Sequence, residues 1–160
     1  MELRELTQKD WPAVKAIYEE GIAAGSTFAT EAPSWEEWDR AHLEGHRLVA
    51  VQDGELVGWA ALSPTSTRSV YRGVARNAVY VAAEARGRGV GRRLLHELIE
   101  GADRDGLWTI EAWMFPENEA SVRLHKTCGF RVVGVRERIG EQYGVWRDVV
   151  VMERRADEEG

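Results

Sequence analysis

The chain has 160 residues and a mass of 18.0 kDa, a length that suits one domain burying about two-thirds of its unfolded surface. Twenty-one basic residues against 27 acidic ones leave a net charge of −6, so the overall field opposes a polyanion such as nucleic acid. No apolar run approaches the ~20 residues of a membrane span, the N-terminal MELRELTQKDW lacks the basic-then-apolar order of an export signal, and the single cysteine, Cys128, makes no internal disulfide. These features together predict a cytoplasmic protein.

In chain order, LREL reads as a short strand, and Thr7 with Asp10 as the capped start of a helix carrying Trp11, Val14, Ile17 and Tyr18 on one side. A small-residue stretch, AAGSTFATEAPS, precedes a second helix from Ser34 over Trp35 to Leu43. RLVAVQDGELVGWAAL predicts a β-hairpin, because two alternating runs flank Asp53-Gly54, a pair that takes the positive φ of a tight turn. Val74 to Ala82 supplies the next strand. After the loop ARGRG, the residues Val90, Leu94, Leu95, Leu98, Ile99 and Ala102 recur with helical spacing until Gly106. LWTIEAWM is a strand, NEASVRLHKTC a short helix, and GFRVVGVRER and YGVWRDVVVMER the last two strands. The order β-α-α-β-β-β-α-β-α-β-β predicts a mixed α/β domain from Met1 to about Arg154, with 155–160 as a polar tail.

The loop between strand and helix, Arg86 to Arg93, holds three glycines and four arginines. A helix N-terminus leaves its first N–H groups unpaired and carries about half a positive charge, so this turn suits a small phosphate-bearing ligand. Glycines at 87, 89 and 91 permit close backbone approach, and Arg86, Arg88 and Arg92 add charge-assisted bonds. The ending Gly91-Arg92-Arg93 excludes a P-loop, which needs Gly-Lys-Ser/Thr, and the dinucleotide fingerprint would need a glycine at 92.

Arg86-x-x-Gly89-x-Gly91 resembles the pyrophosphate loop of the GCN5-related N-acetyltransferases. GSTFATEAP, VYRGVARNAVYV, ENEASVRLHKTCGF and YGVWRDVVVMER are similar to the phosphinothricin and methionine sulfoximine acetyltransferase branch, over nearly the whole chain. The resemblance implies the fold of that family, a mostly antiparallel sheet with flanking helices and a splayed strand pair that holds acetyl-CoA, and it implies a homodimer. It implies that Val79, Tyr80 and Val81 lie along the pantetheine and that Arg86, Gly87, Arg88, Gly89, Val90, Gly91 and Arg92 hold the pyrophosphate. Asn118 would contact the cofactor near its reactive end, and also reads as a helix N-cap.

The same resemblance places His125 where a side chain protonates the coenzyme A thiolate, with a packed helix histidine as the alternative. Thr27 and Phe28 fall in the substrate loop. One position departs from the family pattern: the glutamate that usually helps deprotonate the amine, in Glu-x-Ser before Val-Tyr-Val, is Arg76 here. A guanidinium is no base at neutral pH. Glu31 is then the nearest candidate carboxylate, and Arg76 beside Arg72 suggests a cationic wall for a substrate carboxylate or phosphinate. His42 and His46 share the i, i+4 spacing of a metal site without a third ligand, and are expected at the surface; no metal is implied. Cys128 reads as a small buried residue, and the lack of a covalent nucleophile implies direct attack on a small-molecule amine in a ternary complex. A coenzyme A-binding regulator without catalysis and a transferase for another amine are the competing expectations.

Overall fold

The computed structural model describes residues 1–157. Its elements are β1 (Glu2–Glu5), α1 (Trp11–Ala23), α2 (Trp35–Ala41), β2 (Arg47–Gln52), β3 (Glu55–Pro64), β4 (Val74–Val81), α3 (Val90–Arg104), β5 (Thr109–Met114), α4 (Glu119–Thr127), β6 (Arg131–Gln142) and β7 (Val145–Arg155), joined in places by single 3₁₀ turns. The strands form one seven-stranded sheet in the order β1-β2-β3-β4-β5-β7-β6. Among the described residues only β4 and β5 run parallel; every other pair is antiparallel. The element order expected from the sequence and this mostly antiparallel α/β sheet agree.

Local chemistry accounts for most boundaries. The β2–β3 hairpin turns on Asp53 (φ 51°) and Gly54 (φ 80°), the left-handed pair that matches strand twist. Ser34 caps α2 by accepting from the Glu37 N–H at 3.2 Å, while the Glu37 carboxylate accepts from the Ser34 N–H at 3.2 Å. At the start of the first helix, the Asp10 carboxylate accepts from the Thr7 N–H at 2.8 Å, but the residues so fixed form a 3₁₀ turn over Gln8–Asp10 before α1 begins. The last strand continues to Arg155, one residue past the expected boundary, and Ala156 donates to the Trp108 carbonyl at 2.9 Å. The rest of the expected tail, 158–160, lies outside the described residues.

The core is one apolar cluster between sheet and helices. Val90, Leu94, Leu95, Leu98, Ile99 and Ala102 form the buried face of α3, and burial of each large aliphatic side chain contributes about 1.5–3 kcal/mol. That face packs close to β3 because Gly58 has no side chain; a Cβ there would sit 3.0 Å from Leu94 Cδ1. Trp38 and Trp59 are fully buried and meet edge-to-face at 5.7 Å, whereas Trp108 and Trp146 are exposed. The two histidines expected at the surface are not there. His46 is buried with Nε2 2.9 Å from Asp105, and His42 stacks on Trp38 at 4.2 Å while its Nδ1–H donates to the Trp38 carbonyl at 2.7 Å. Burial pushes the His42 imidazole below its ordinary pKa. The surface expectation failed for His42 because its local stacking partner, Trp38, is itself buried against Trp59 of β3, a contact that local spacing does not show.

Candidate active site

The site begins where two strands part. β4 and β5 pair over Val74–Arg76 and Thr109–Glu111 only; beyond that rung β4 keeps β3 and β5 keeps β7 as partners. The fork opens a cleft of about 810 Å³. Side chains clamp its last rung, where Arg76 Nε and Nη2 donate to Glu111 Oε1 at 3.2 and 3.1 Å, and the Thr65 hydroxyl donates to the same oxygen at 3.1 Å. The Arg76 guanidinium also lies 4.0 Å from the centre of the Trp113 ring.

At one end of the cleft is the glycine loop. Gly87 (φ 78°) and Gly89 (φ 80°) are left-handed, and a Cβ on either would meet nothing within 4 Å, so the loop is open at both positions. The N–H groups of Val90, Gly91 and Arg92 begin α3 and donate to no carbonyl among the described residues. Arg86, Gly87, Gly89, Val90, Gly91 and Arg92 all line the cleft, and among the described residues neither arginine forms an ion pair. Arg88 is exposed and is not part of the lining. Val79, Tyr80 and Val81 follow along the open edge of β4. The Tyr80 ring stacks on Trp59 at 4.8 Å and on Tyr18 at 5.1 Å, and its backbone pairs with Trp59 of β3, so the alternating Val79 and Val81 are the residues whose backbone faces the cleft. Unpaired N–H groups at a helix start, an unpaired strand edge and free guanidinium groups fit the pyrophosphate and pantetheine of acetyl-CoA.

At the other end α4 presents His125, 4% exposed. Its Nδ1 lies 2.7 Å from the Ser121 carbonyl and its Nε2 lies 3.2 Å from the Asn77 amide nitrogen, while the ring meets Phe130 edge-on at 5.0 Å. Burial pushes this imidazole below its ordinary pKa, partly offset by the Ser121 carbonyl. Asn118 caps α4 by accepting from the Ser121 N–H at 3.2 Å, and it also lines the cleft. The N-cap and cleft positions therefore coincide in one side chain.

The loop between α1 and α2 roofs this end. The Thr27 carbonyl accepts from Gln142 Nε2 at 2.7 Å, and Gln142 Oε1 accepts from Arg147 at 2.8 Å. Phe28 meets Phe115 edge-to-face at 4.8 Å and rests on Gly140, where a Cβ would fall 2.8 Å from its ring. Arg147 lies with its guanidinium 3.6 Å from the Phe115 ring centre and 3.7 Å from Glu117. Asn77, Trp113, Phe115 and Arg147 were not singled out in the sequence. For Arg147 a signal existed: strand alternation puts it on the same side as Val149, and both line the cleft.

Thr27, Phe28, Arg76, Asn118 and His125 are thus brought together, but Glu31 and Arg72 are not. Glu31 is exposed and outside the cleft lining. Arg72 donates to the Ser69 carbonyl at 3.0 Å and sits 5.4 Å over the Trp108 ring, so the structure does not place it beside Arg76 as one wall. Cys128 is half-buried, outside the lining, with its thiol pKa raised by burial.

The profile of the acetyltransferase (GNAT) family matches residues 2–130. The chain belongs to this family, whose acetyltransferases use acetyl-CoA. Among relatives, a phosphinothricin N-acetyltransferase of Alcaligenes faecalis is 36% identical over 160 residues, covering 95% of this chain and 81% of its own. An L-methionine sulfoximine/L-methionine sulfone acetyltransferase of Pseudomonas aeruginosa is 30% identical over 164 residues, covering 97% and 94%. A phosphinothricin acetyltransferase of Sinorhizobium meliloti, solved in complex with acetyl-CoA, superposes with a TM-score of 0.88 at 28% identity, covering 96% of this chain and 87% of that one.

Proposed function

We propose that the chain transfers the acetyl group of acetyl-CoA to the amine of a small amino-acid-like molecule of the phosphinothricin or methionine sulfoximine type. The observation that carries this reading is the fork between β4 and β5, with an anion-binding helix start at one end of the cleft and a buried imidazole under an arginine-bearing roof at the other. Two relatives that match most of the chain are named for such substrates, and a third for L-amino acids.

In this reading Arg86, Arg92 and the N–H groups from Gly87 to Arg92 hold the pyrophosphate, with Arg88 adding charge from solvent. The open edge of β4 from Val79 to Val81 pairs with the pantetheine, and an N–H of that edge polarises the thioester oxygen. Asn118 orients the reactive end. The amine enters under Thr27 and Phe28. Its carboxylate meets Arg147, whose Nη2 has only the 3.7 Å contact to an exposed Glu117, rather than Arg76, which already satisfies Glu111. Attack is direct, since Cys128 neither lines the cleft nor has a lowered pKa.

We also propose a homodimer in the cytoplasm. β6 is an edge strand exposing Val132, Val133, Val135 and Ile139, next to Tyr143, Val145 and Trp146, an apolar strip suited to a second copy. Light scattering of wild type and of Val133→Glu/Val135→Glu tests it; a monomeric wild type contradicts it. The activity is tested by thiol release from acetyl-CoA across a panel of amines. Release with methionine sulfoximine and phosphinothricin, and little with the corresponding amines lacking a carboxylate, is expected. No release with any amino acid contradicts the reading.

A further inference from the structure

We infer that Asn77 is a positioning residue that, together with the Ser121 carbonyl, keeps His125 neutral and bare at Nε2, the state able to take a proton from the substrate ammonium, so that His125 acts as a base before it acts as an acid. The inference rests on the cleft being the acetyl-transfer site. The tautomer follows from the two shorter of three polar contacts to the ring, the third being the Ser121 hydroxyl 3.5 Å from Nδ1. A carbonyl oxygen only accepts, so the 2.7 Å contact between His125 Nδ1 and the Ser121 carbonyl puts a proton on Nδ1. A neutral ring then has its lone pair on Nε2, and Asn77, 3.2 Å away, meets it with an amide N–H. The opposite amide orientation would set the Asn77 oxygen against that lone pair unless the ring were cationic.

Among the described residues, nothing around the ring favours the cation. Arg76, next to Asn77 on β4, is turned to Glu111. On α4 Arg123 pairs with Glu119 at 3.9 Å and Lys126 is exposed, while Arg147 of β7 engages Gln142 and Glu117. The Cys128 thiol at the end of α4 is held protonated by its raised pKa, and Phe130 offers only a ring edge. The resting His125 is therefore neutral, which agrees with its burial.

A ring in this state has no proton at Nε2 to give to a thiolate; it must first acquire one. The ammonium supplies it. One proton passes from the substrate nitrogen to Nε2, the neutral amine forms its C–N bond to the acetyl carbon as the C–S bond breaks, and the Nε2 proton passes to the sulfur. The second proton leaves the nitrogen for solvent, so ammonium and thioester become amide, thiol and one released proton. At 3.2 Å the Asn77 bond is at the long end of the hydrogen-bond range and is neutral, so it yields to the ammonium. This cycle needs no carboxylate at position 76, where the chain carries Arg76.

The test is ¹⁵N NMR of the histidine rings together with the pH profile of kcat/KM in wild type, Asn77→Ala and Asn77→Asp. The wild-type protein should show His125 protonated at Nδ1 and bare at Nε2 through neutral pH. Asn77→Asp replaces a donor with an anionic acceptor and should draw a proton onto Nε2. kcat/KM at neutral pH should then fall by about 10²-fold or more, and its acid limb should move to higher pH, with acetyl-CoA affinity unchanged. Asn77→Ala should move the limb in the same direction by less. An Nε2–H tautomer or an imidazolium in the wild-type spectrum overturns the inference, as does an acid limb that stays in place in a folded Asn77→Asp protein. Should that variant not fold, the wild-type spectrum decides. Because the tautomer is read in the resting protein, it stands or falls separately from the substrate assignment.

Discussion

Gly89 tests the anion site most cleanly, since its two natural perturbations share one backbone cost and differ in charge. It precedes α3 at φ 80°, ψ 10°, and a Cβ there meets no atom within 4 Å. Gly89→Ala therefore carries only the left-handed backbone penalty of about 1–2 kcal/mol, which for a domain of this size lowers Tm by about 2–8 °C. Gly89→Glu carries the same penalty but adds a carboxylate at the helix start. In the free protein that charge is favoured by the α3 dipole by about 0.3–1 kcal/mol, so the Glu variant should melt at or slightly above the Ala variant. With a pyrophosphate bound, like charges about 6–8 Å apart at an effective dielectric of about 20 repel by roughly 2–3 kcal/mol, which weakens binding by about 30- to 140-fold. Calorimetric titration with acetyl-CoA at low and high salt reads the effect, and screening should shrink it. A Glu variant that melts like the Ala variant yet binds acetyl-CoA as the wild type does would refute the loop's role.

Gly140→Ala places a Cβ 2.8 Å from the Phe28 ring, so the roof must shift; KM for the amine should rise while the acetyl-CoA dissociation constant stays put, as steady-state kinetics and titration will show. Arg147→Ala should raise KM for carboxylate-bearing amines by about tenfold or more, the loss of one charge-assisted hydrogen bond of about 1.5–3 kcal/mol. Arg76→Ala should raise it less and instead cost about 1 kcal/mol or less in urea unfolding, because the Glu111 ion pair is part-exposed. Equal KM effects would contradict the division between the two arginines. His42 and His125 both have lowered native pKa values, so the unfolded chain binds protons that the native state refuses. Their contribution is fully present above the unfolded histidine value of about 6.5 and is lost as pH falls below it. Tm measured from about pH 7.5 to about pH 5 should fall, and less steeply in His42→Gln; an unchanged slope would contradict the assignment.

What could be read from the sequence was what local chemistry determines. Asp53-Gly54 announced its turn because few residues accept positive φ, and the face of α3 announced itself by period. The glycine loop was legible for the same reason: positive φ at Gly87 and Gly89 and a helix start at Val90 are both set within a few residues. The splayed strand pair was expected only through the family resemblance, because the Arg76–Glu111 rung depends on a parallel register between residues 35 apart, which no local signal sets. Arg72 and Arg76 look adjacent in sequence, yet the turn at Gly73 sends one to Trp108 and the other to Glu111. The roof joins Phe28 to Gly140 and Thr27 to Gln142, contacts between chain ends that periodicity cannot pair. His125 was legible as a residue but not as a tautomer, since the Ser121 carbonyl and Asn77 amide that fix it come from the fold.

The most direct test of acetyl transfer is mass spectrometry of the amine product alongside free thiol. Purified protein given acetyl-CoA and methionine sulfoximine or phosphinothricin should yield the N-acetylated amine and coenzyme A in equal amounts, with no acetyl group retained on the protein. Tight acetyl-CoA binding without any N-acetylated product, or acetylation of the protein itself in step with thiol release, would contradict it.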